Sequence, residues 1–236
     1  MGFTSAILTA AGKSERMGTL KPLLPWDGAN LLEYQISCLV DSGVSEVIVV
    51  LGYKADVLTP YVNGANVRYV VNPLYLSGKT TSIKAAILQI NPKTEAIMLI
   101  AIDQPRTRNI ISALINAHFK NNALITSPRF QHQGGHPLIF SSSLKKELAS
   151  ICEDNKGVRG IIQNHRDKIT WVDINDPIIR LDLNTPEAYE EGEKIWLTNN
   201  NIKNEEGKDV GRKMAMDNRN LSPFCLYTGK IQHSRE

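Results

Sequence analysis

Short apolar runs alternate with segments of helical period from the N-terminus to about residue 196. Glu46–Leu51 is almost continuously apolar, which is typical of a strand buried on both faces of a parallel sheet. Leu32, Ile36 and Leu39 share one helical face and indicate a helix with one buried side. The same pattern predicts strands at Ser5–Thr9, Glu46–Leu51, Val67–Val71, Ala96–Ile102, Ala123–Thr126, His136–Phe140, Ile169–Val172 and Arg180–Leu183. The predicted helices are Leu31–Ser42, Ser77–Ile90, Thr107–Asn121, Leu144–Cys152, Gly157–His165 and Pro186–Trp196.

The alternation of strands and helices indicates the fold class. Each strand–helix–strand unit makes a crossover connection, and repeated crossovers give a mostly parallel sheet covered by helices on both faces. We therefore expect an α/β domain of three layers, α/β/α, over residues 1–196, with an antiparallel strand near Pro137. From Leu197 to Glu236 the composition turns polar and loses its period, which predicts a mobile tail.

Composition narrows the functional classes only slightly. A formal charge of +3 over 236 residues is small for a nucleic-acid arm or a polybasic membrane anchor. No apolar run approaches the roughly 18 residues that a membrane span needs. Cys38, Cys152 and Cys225 are far apart and odd in number, which argues against a disulfide framework. These features predict a cytoplasmic protein that binds neither nucleic acid nor membrane.

The segment that follows the first strand has the composition of an anion-binding loop. Ala10, Ala11 and Gly12 have almost no side chain, so backbone amides can approach a ligand closely. Arg16 and Lys21 add two cations, one a planar fork of donors and the other a compact point charge. The segment matches neither the Walker A pattern nor the dinucleotide fingerprint. It therefore predicts either a phosphate site of another kind or an ordinary tight turn with solvated charges.

The loop also carries a family pattern. It reads Ala10-Ala11-Gly12-x-Ser14-x-Arg16-Met17-Gly18-x-x-Lys21-x-Leu23-Leu24-Pro25. This resembles the signature of molybdenum cofactor cytidylyltransferases and their relatives. The resemblance implies a glycosyltransferase-A-type fold with a Rossmann-like nucleotide half. It also implies an NTP-binding role for the whole loop, Lys13 and Ser14 included. The Ala-Ala-Gly form is similar to the cytidylyl branch, whereas the guanylyl branch usually has Ala-Gly-Gly.

A second motif follows the third predicted strand and opens the next helix. Its residues from Asn72 to Ile83 resemble the family segment NPxYxxGxxxSI. The resemblance implies that Asn72, Gly78, Thr81 and Ser82 contact the nucleotide, since amides and hydroxyls at a helix start can bind a base edge or an anion. Taken without the resemblance, the same residues form an ordinary turn and helix cap.

Acidic residues at two further strand ends predict a metal site. Asp103 follows a buried apolar strand, where an unpaired charge is costly to desolvate, and it resembles the Mg²⁺-holding Asp of the family's DQP segment. Asp182 and Asn184 resemble the family's DIDTPED segment, with Asn184 in place of an Asp. Their alternation on the predicted strand end would turn both toward one side. Helix capping is the alternative role for all three, and the sequence leaves open whether Asp182 or Asn184 is the direct ligand.

Two later segments are candidates for the acceptor half of the site. Gly135, His136 and Pro137 resemble the family's GHP segment, and Arg159 loosely matches its GxR segment. The resemblance implies that these residues bind the acceptor substrate.

The resemblance implies an Mg²⁺-dependent transfer of a nucleotidyl group, CMP from CTP rather than GMP from GTP, to a phosphate-bearing acceptor of molybdopterin type. Arg16, Lys21 and Asp103 would be the catalytic residues, and a molybdoenzyme would be a transient partner. Two alternatives stay open at this point. One is a sugar-1-phosphate or alcohol-phosphate nucleotidylyltransferase. The other is a non-catalytic cofactor-binding factor that serves molybdenum hydroxylases.

Overall fold

A mostly parallel sheet forms the centre of the protein. The computed structural model describes the backbone of residues 2–206 and the side chains of residues 2–198. The strands are β1 (Thr4–Ala10), β2 (Pro25–Trp26), β3 (Ala29–Asn30), β4 (Glu46–Leu51), β5 (Val67–Val71), β6 (Ala96–Ala101), β7 (Ile125–Phe130), β8 (Gln133–Gly134), β9 (Leu138–Ser141) and β10 (Ile169–Asp173). The α-helices are α1 (Leu31–Asp41), α2 (Ala55–Leu58), α3 (Lys79–Ile87), α4 (Arg108–Lys120), α5 (Lys145–Ser150), α6 (Val158–Asn164) and α7 (Pro186–Glu206).

Eight of these strands form one sheet in the order β10-β7-β9-β6-β1-β4-β5, with β8 paired to β7. The pairs β1–β4, β1–β6, β4–β5 and β7–β10 are parallel. Strand β9 runs antiparallel to both β6 and β7, which confirms the antiparallel strand expected near Pro137. The short strands β2 and β3 pair only with each other.

Helices cover both faces of the sheet, as the three-layer expectation requires. On one face the buried side chains of β1, β4 and β6 pack against α1 and α4, for example Leu8 against the apolar stripe that includes Leu39 and Leu114. On the other face the alternate strand residues, such as Ile7 and Ile48, pack with α3, α5 and α6. The predicted α/β fold is therefore confirmed, and the core lies on both sides of the sheet.

The last two predicted elements differ from the structure. The predicted strand Arg180–Leu183 is wrong, since Pro177–Arg180 forms a short 3-10 helix and irregular chain follows it. The last helix was predicted to end at Trp196 but continues to Glu206. The polar composition after Trp196 did not predict this extension. A polar stretch can remain helical when it continues the backbone hydrogen bonding of a helix that is already docked. Most of the predicted tail, residues 207–236, lies outside the described residues.

Aromatic contacts dock α7 against the rest of the domain. The Trp196 ring centroid lies 5.4 Å from that of Trp26 and 5.2 Å from that of Tyr34. Tyr189 lies two turns earlier on the same face of α7, and its hydroxyl lies within hydrogen-bonding distance of the Pro25 carbonyl and of Glu193 Oε1. Rings of this size bury much apolar surface. They fix the helix and, with it, the chain that precedes it.

The sheet direction decides where the loops meet. Strands β1, β4 and β6 are parallel neighbours, so their carboxyl ends at Ala10, Leu51 and Ala101 lie along one edge. In open α/β sheets ligands bind at this edge. Among the described residues, no helix is both long enough and apolar enough to cross a membrane.

Candidate functional site

A cavity of about 580 Å³ opens at the carboxyl edge of the sheet. Most of the residues that the sequence assigned to nucleotide or metal line it: Ala10, Ala11, Gly12, Lys13, Ser14, Arg16, Lys21, Gly78, Ser82, Asp103 and Asn184. Lining residues that the sequence analysis missed are Thr9, Glu15, Pro22, Tyr75, Leu76, Lys79, Ala101 and Ile102. Segments from four separate parts of the chain thus form one concave surface.

The loop after β1 is held in shape by its own turns. Ser14 adopts a left-handed conformation with φ 55°, and its carbonyl accepts a hydrogen bond from the Met17 amide at 2.8 Å. The Ser14 hydroxyl accepts a hydrogen bond from the Lys21 amide at 3.4 Å, which closes the loop. A Cβ atom on Gly12 would have no neighbour within 4 Å. The protein itself therefore leaves the space beside Gly12 open.

Lys21 joins the loop to the end of β6 and to the irregular segment before α7. Its Nζ donates to Asp103 Oδ2 at 3.3 Å and to Asn184 Oδ1 at 3.2 Å. The lysine is only 6% exposed. Burial lowers the pKa of Lys21, and the nearby Asp103 carboxylate acts in the opposite direction by stabilising the ammonium. The cluster therefore places a cation, a carboxylate and an amide oxygen together at the cavity wall.

The charge of the cavity suits a polyanion. Its lining contains four cationic side chains, Lys13, Arg16, Lys21 and Lys79, and two carboxylates, Glu15 and Asp103. A triphosphate carries several negative charges, so excess positive charge beside small residues is complementary to it.

The structure separates Asp182 from Asn184. The Leu183 amide donates to the carbonyl of Asp103 at 2.8 Å, which pins this irregular segment beside the end of β6. Asn184 then lines the cavity, whereas the exposed Asp182 accepts a hydrogen bond from Gln104 Nε2 at 2.8 Å and does not line it. The alternation expected from a strand fails here because the segment is not a strand.

The second motif divides into a structural part and a cavity-lining part. Asn72 is 3% exposed, and its Nδ2 donates to the hydroxyls of Thr81 and Ser82 at 2.9 and 3.0 Å. Its Oδ1 accepts from the Leu74 amide, which is the turn expected without the resemblance. Asn72 and Thr81 do not line the cavity, while Gly78 and Ser82 do. The asparagine thus holds the turn that presents the other two.

The start of α3 already has an anionic partner. The amide of Thr80 donates to Glu153 Oε1 at 2.9 Å, so this carboxylate caps the helix. Any side chain at Gly78, whose φ is 112°, would clash with the Glu153 carboxyl. The anion-binding role expected for the first amides of this helix is therefore partly taken by the protein's own Glu153.

The predicted acceptor segment is tightly packed. Gly135 and Pro137 are buried, and His136 is half-buried with its amide donating to the Ile179 carbonyl at 3.0 Å. The His136–Pro137 peptide bond is cis. Burial is the main cause that lowers the pKa of His136, and the positive charge of Arg106 lowers it further. None of the three residues lines the cavity described above.

Arg106 organises this half and was not found from the sequence. It is fully buried, with its guanidinium donating to the carbonyls of Pro105, His136, Ile179 and Leu181 at 2.7–3.1 Å. Burial lowers its pKa to about 10, and the charge of Asp182 is the largest opposing influence. The signal available in the sequence was an arginine directly after the Asp-Gln-Pro segment. Three of its four acceptors, the carbonyls of His136, Ile179 and Leu181, lie in distant parts of the chain.

Arg159, the other predicted acceptor residue, lies apart from this cluster. It is exposed on α6 and does not line the cavity. The structure therefore brings together the predicted nucleotide and metal residues but not all of the predicted acceptor residues.

The oxygen atoms of Asp103 and Asn184 at the cavity wall are ligands that suit a hard divalent cation such as Mg²⁺. Asp103 Oδ2 and Asn184 Oδ1 both lie within 3.3 Å of one point, the Nζ of Lys21. Within residues 2–198 no three His, Cys, Asp or Glu side chains are grouped as a closed metal cage. Mg²⁺ does not require one, because it is usually bound by one or two carboxylates together with phosphate oxygens and waters.

A small-residue loop with cations and an acid at the carboxyl edge of an α/β/α sheet suits a phosphate-bearing ligand. The family comparison makes the class specific, and this chain is a nucleotidyltransferase. The family model for MobA-like NTP transferase domains matches residues 6–169, and the chain belongs to that family. The family resemblance expected from the loop signature is thereby confirmed.

Individual relatives are similar over most of their length, and they are named for different activities. The chain is 30% identical to the molybdenum cofactor cytidylyltransferase of Escherichia coli (strain K12), over 80% of this chain and 95% of that protein. It is 27% identical to the nicotine blue oxidoreductase of Paenarthrobacter nicotinovorans, over 78% and 93% respectively. The solved structure of Rv0371c from Mycobacterium tuberculosis H37Rv is similar with a TM-score of 0.73 at 25% identity, covering 82% of this chain and 98% of that one. A structure of the same mycobacterial protein in complex with manganese gives a TM-score of 0.68 at 22% identity with the same coverage.

Proposed function

We propose that this protein transfers CMP from CTP to a phosphate-bearing acceptor of molybdopterin type and releases pyrophosphate. The observation that carries the proposal is that the ends of β1 and β6 and the irregular segment before α7 converge on one cavity. There Lys21 contacts both Asp103 and Asn184, beside a loop whose Gly12 leaves space for a ligand. The proposal extends to a cytoplasmic location and a molybdoenzyme as transient partner, as the family resemblance implies.

The reaction needs little covalent help from the protein. An oxygen of the acceptor phosphate attacks the α-phosphorus of CTP, a new P–O–P bond forms, and the bond from the α-phosphorus to the bridging oxygen breaks. Pyrophosphate leaves with the electron pair. Because the acceptor oxygen is already ionised near pH 7, no general base is required. Positioning and charge neutralisation then supply most of the rate enhancement.

The loop after β1 would hold the part of the nucleotide that leaves. Backbone amides near Gly12 can approach phosphate oxygens, because no side chain fills that space. Arg16 is exposed at the same cavity and offers a planar fork of donors to the terminal phosphates. Lys21, fixed by its two partners, would add a charge at a defined position. These three groups stabilise the negative charge that develops on pyrophosphate.

Asp103 and Asn184 would hold the divalent cation, which we propose to be Mg²⁺. When bound, such an ion neutralises phosphate charge and polarises the phosphorus–oxygen bonds. The manganese complex of the mycobacterial neighbour supports a divalent metal in this fold. We leave Asp182 out of the proposed ligand set, because its carboxylate accepts a hydrogen bond from Gln104 outside the cavity.

The choice of CTP over GTP rests on two observations. The loop has the Ala10-Ala11-Gly12 form that resembles the cytidylyl branch. The similar Escherichia coli protein is named a molybdenum cofactor cytidylyltransferase, and it is covered over 95% of its length. The acceptor is proposed from the same two observations.

The direct test is pyrophosphate release from each of the four NTPs with Mg²⁺ and the molybdopterin acceptor. We expect release with CTP and a loss of roughly 10²–10³-fold in the Asp103→Ala variant, by analogy with the removal of one transition-state donor. Asp182→Ala is the matched control, because it removes a nearby carboxylate that does not line the cavity. Full activity in Asp103→Ala would sink the proposed metal site.

The remaining outcomes separate the alternatives. Release that needs a sugar-1-phosphate or an alcohol phosphate instead of the pterin would replace the proposed acceptor. Release with GTP alone would reverse the nucleotide assignment. Tight binding of the pterin cofactor without pyrophosphate release from any NTP would favour the non-catalytic binding factor.

A further inference from the structure

Lys79 is a cavity-lining cation that the motif did not single out. It is the first residue of α3, is exposed, and lines the cavity together with Gly12, Arg16 and Lys21. It follows Gly78 directly, so the turn held by Asn72 also sets the direction in which the helix begins.

The other lysines of the cavity already have partners. Lys13 pairs with Glu15 at 3.5 Å, and Lys21 contacts Asp103 and Asn184. Within residues 2–198, Lys79 makes neither an ion pair at 4.0 Å or less nor a side-chain hydrogen bond. Its charge is therefore available to a ligand in the cavity.

Folding does not explain a lysine at this position. The N-terminus of a helix carries partial positive charge, so a cation in its first turn is unfavourable for the helix. The favourable anion at this helix end is supplied by Glu153, which accepts the hydrogen bond of the Thr80 amide. A residue that opposes the stability of its own helix points to a role toward a ligand.

Lys79 lies beside both halves of the site. The next residue, Thr80, donates its amide to Glu153 Oε1 at 2.9 Å, and a Cβ on Gly157 would lie 3.0 Å from the Thr80 Cγ2 atom. Gly157 directly precedes α6, which carries the predicted acceptor residue Arg159. Lys79 therefore lies where the nucleotide cavity meets a predicted acceptor segment.

We propose that Lys79 binds the acceptor phosphate where it meets the α-phosphate of the nucleotide. Two anionic groups must approach each other for the new P–O–P bond to form, and a cation between them reduces their repulsion. Lys79 exchanges no proton in this step and acts only through its charge and its N–H donors. This inference rests on the proposed nucleotidyl transfer and adds a residue to its acceptor half.

The test compares Lys79→Met, Lys79→Arg and Lys84→Met. Methionine keeps the length and helix propensity of lysine but removes the charge. Lys84 is the matched control, because it lies in the last turn of α3 and does not line the cavity. The measurements are kcat and KM for CTP and for the acceptor, together with the midpoint of thermal unfolding.

For Lys79→Met we expect a KM for the acceptor that rises by roughly 10–10²-fold, the loss of one charge-assisted contact, with a fall in kcat of at least tenfold. The KM for CTP should change much less, the unfolding midpoint should not fall, and Lys79→Arg should restore most of the activity. Lys84→Met should leave both KM values unchanged. A Lys79→Met enzyme within twofold of wild type for the acceptor would overturn the inference.

A wild-type protein that releases no pyrophosphate from any NTP would defeat the proposed function by itself. In that case the role of Lys79 is tested by binding. Calorimetry measures the affinity of wild type and of Lys79→Met for inorganic phosphate in the presence of CTP. A loss of about tenfold or more in phosphate affinity supports the contact. Equal affinities overturn it.

Discussion

Gly12 and Gly135 both belong to family-like motifs, yet the structure surrounds them in opposite ways. A Cβ on Gly12 would enter empty space in the cavity, whereas a Cβ on Gly135 would clash with the carbonyl oxygen of Ile179. Neither glycine has the positive φ that would itself demand glycine. The nucleotide half is thus an open surface shaped for a ligand. The acceptor segment is a packed piece of the protein's interior, and its glycine serves that packing.

The comparison extends to the arginines of the two halves. Arg16 is exposed at the cavity and free to meet a phosphate, while Arg106 is fully buried and donates only to main-chain carbonyls. The same side-chain chemistry therefore faces the cavity in one half and holds backbone in the other. Residue type and motif membership did not distinguish these roles.

Arg106→Met should have the largest effect on stability. It would remove the donors of the carbonyls of Pro105, His136, Ile179 and Leu181. The Ile179 carbonyl keeps the His136 amide as a donor. Loss of the arginine donor at the other buried carbonyls should lower the free energy of unfolding by about 3 kcal/mol or more, measured by urea denaturation. The exposed Arg180 on the neighbouring 3-10 helix supplies the control, and Arg180→Met should change stability by less than about 0.5 kcal/mol. Similar effects of the two variants would contradict the organising role of Arg106.

Gly12→Ala should separate function from folding. Its methyl group would occupy the space that we assign to phosphate, so pyrophosphate release should fall by roughly 10²-fold with a raised KM for CTP. The free energy of unfolding should stay unchanged or rise slightly, since alanine restricts the unfolded chain. An active Gly12→Ala enzyme would show that the loop does not approach phosphate at this residue.

Gly135→Ala should show the reverse pattern. Its methyl group meets a carbonyl that is held in place by the His136 amide and by Arg106. Overpacking of this kind should lower the free energy of unfolding by about 1–3 kcal/mol. The KM for CTP of the folded fraction should stay near that of wild type. A stable variant with a selectively raised KM for the acceptor would instead indicate that Gly135 faces the substrate.

His136 should give the smallest effect, seen as pH dependence of stability. Its pKa in the folded protein is lowered, mainly by burial, so the unfolded state binds the proton more readily. The contribution of neutral His136 to the free energy of unfolding is therefore fully present above pH 6.5. This contribution is lost as the pH falls below 6.5 and through the lowered pKa of the folded protein. When the pH is lowered from 7 through the titration of His136, we expect the free energy of unfolding to fall less in His136→Gln than in wild type. Urea denaturation at each pH measures it.

The buried His118 must be accounted for in that experiment. Burial lowers the pKa of His118 to about 4, so it contributes an acid-labile term of its own, and its Nδ1 contacts the Thr126 hydroxyl at 2.9 Å. His118→Gln is thus the matched variant, and it should keep the His136 contribution. Superimposable pH profiles for wild type and His136→Gln would show that His136 titrates normally.

The sequence by itself determined the α/β layers and the nucleotide loop. Strands β4 and β5 have the predicted bounds. A run such as Glu46–Leu51 is predictable because its apolar, mostly β-branched side chains favour a strand by themselves. The small residues at Ala10–Gly12 likewise indicated a loop that backbone amides could use, because that property is local. Asp103 was recognisable as an unusual charge at the end of an apolar strand.

Only the tertiary structure decided which distant groups meet. It placed Asn184 instead of Asp182 in the cavity, because the Leu183 amide bonds to the Asp103 carbonyl and the expected strand does not form. It also showed that the carbonyls around Arg106 come from separate loops. Periodicity reports on neighbours along the chain. Which distant residues come together depends on long-range packing. That packing leaves open space beside Gly12 and puts the Ile179 carbonyl beside Gly135.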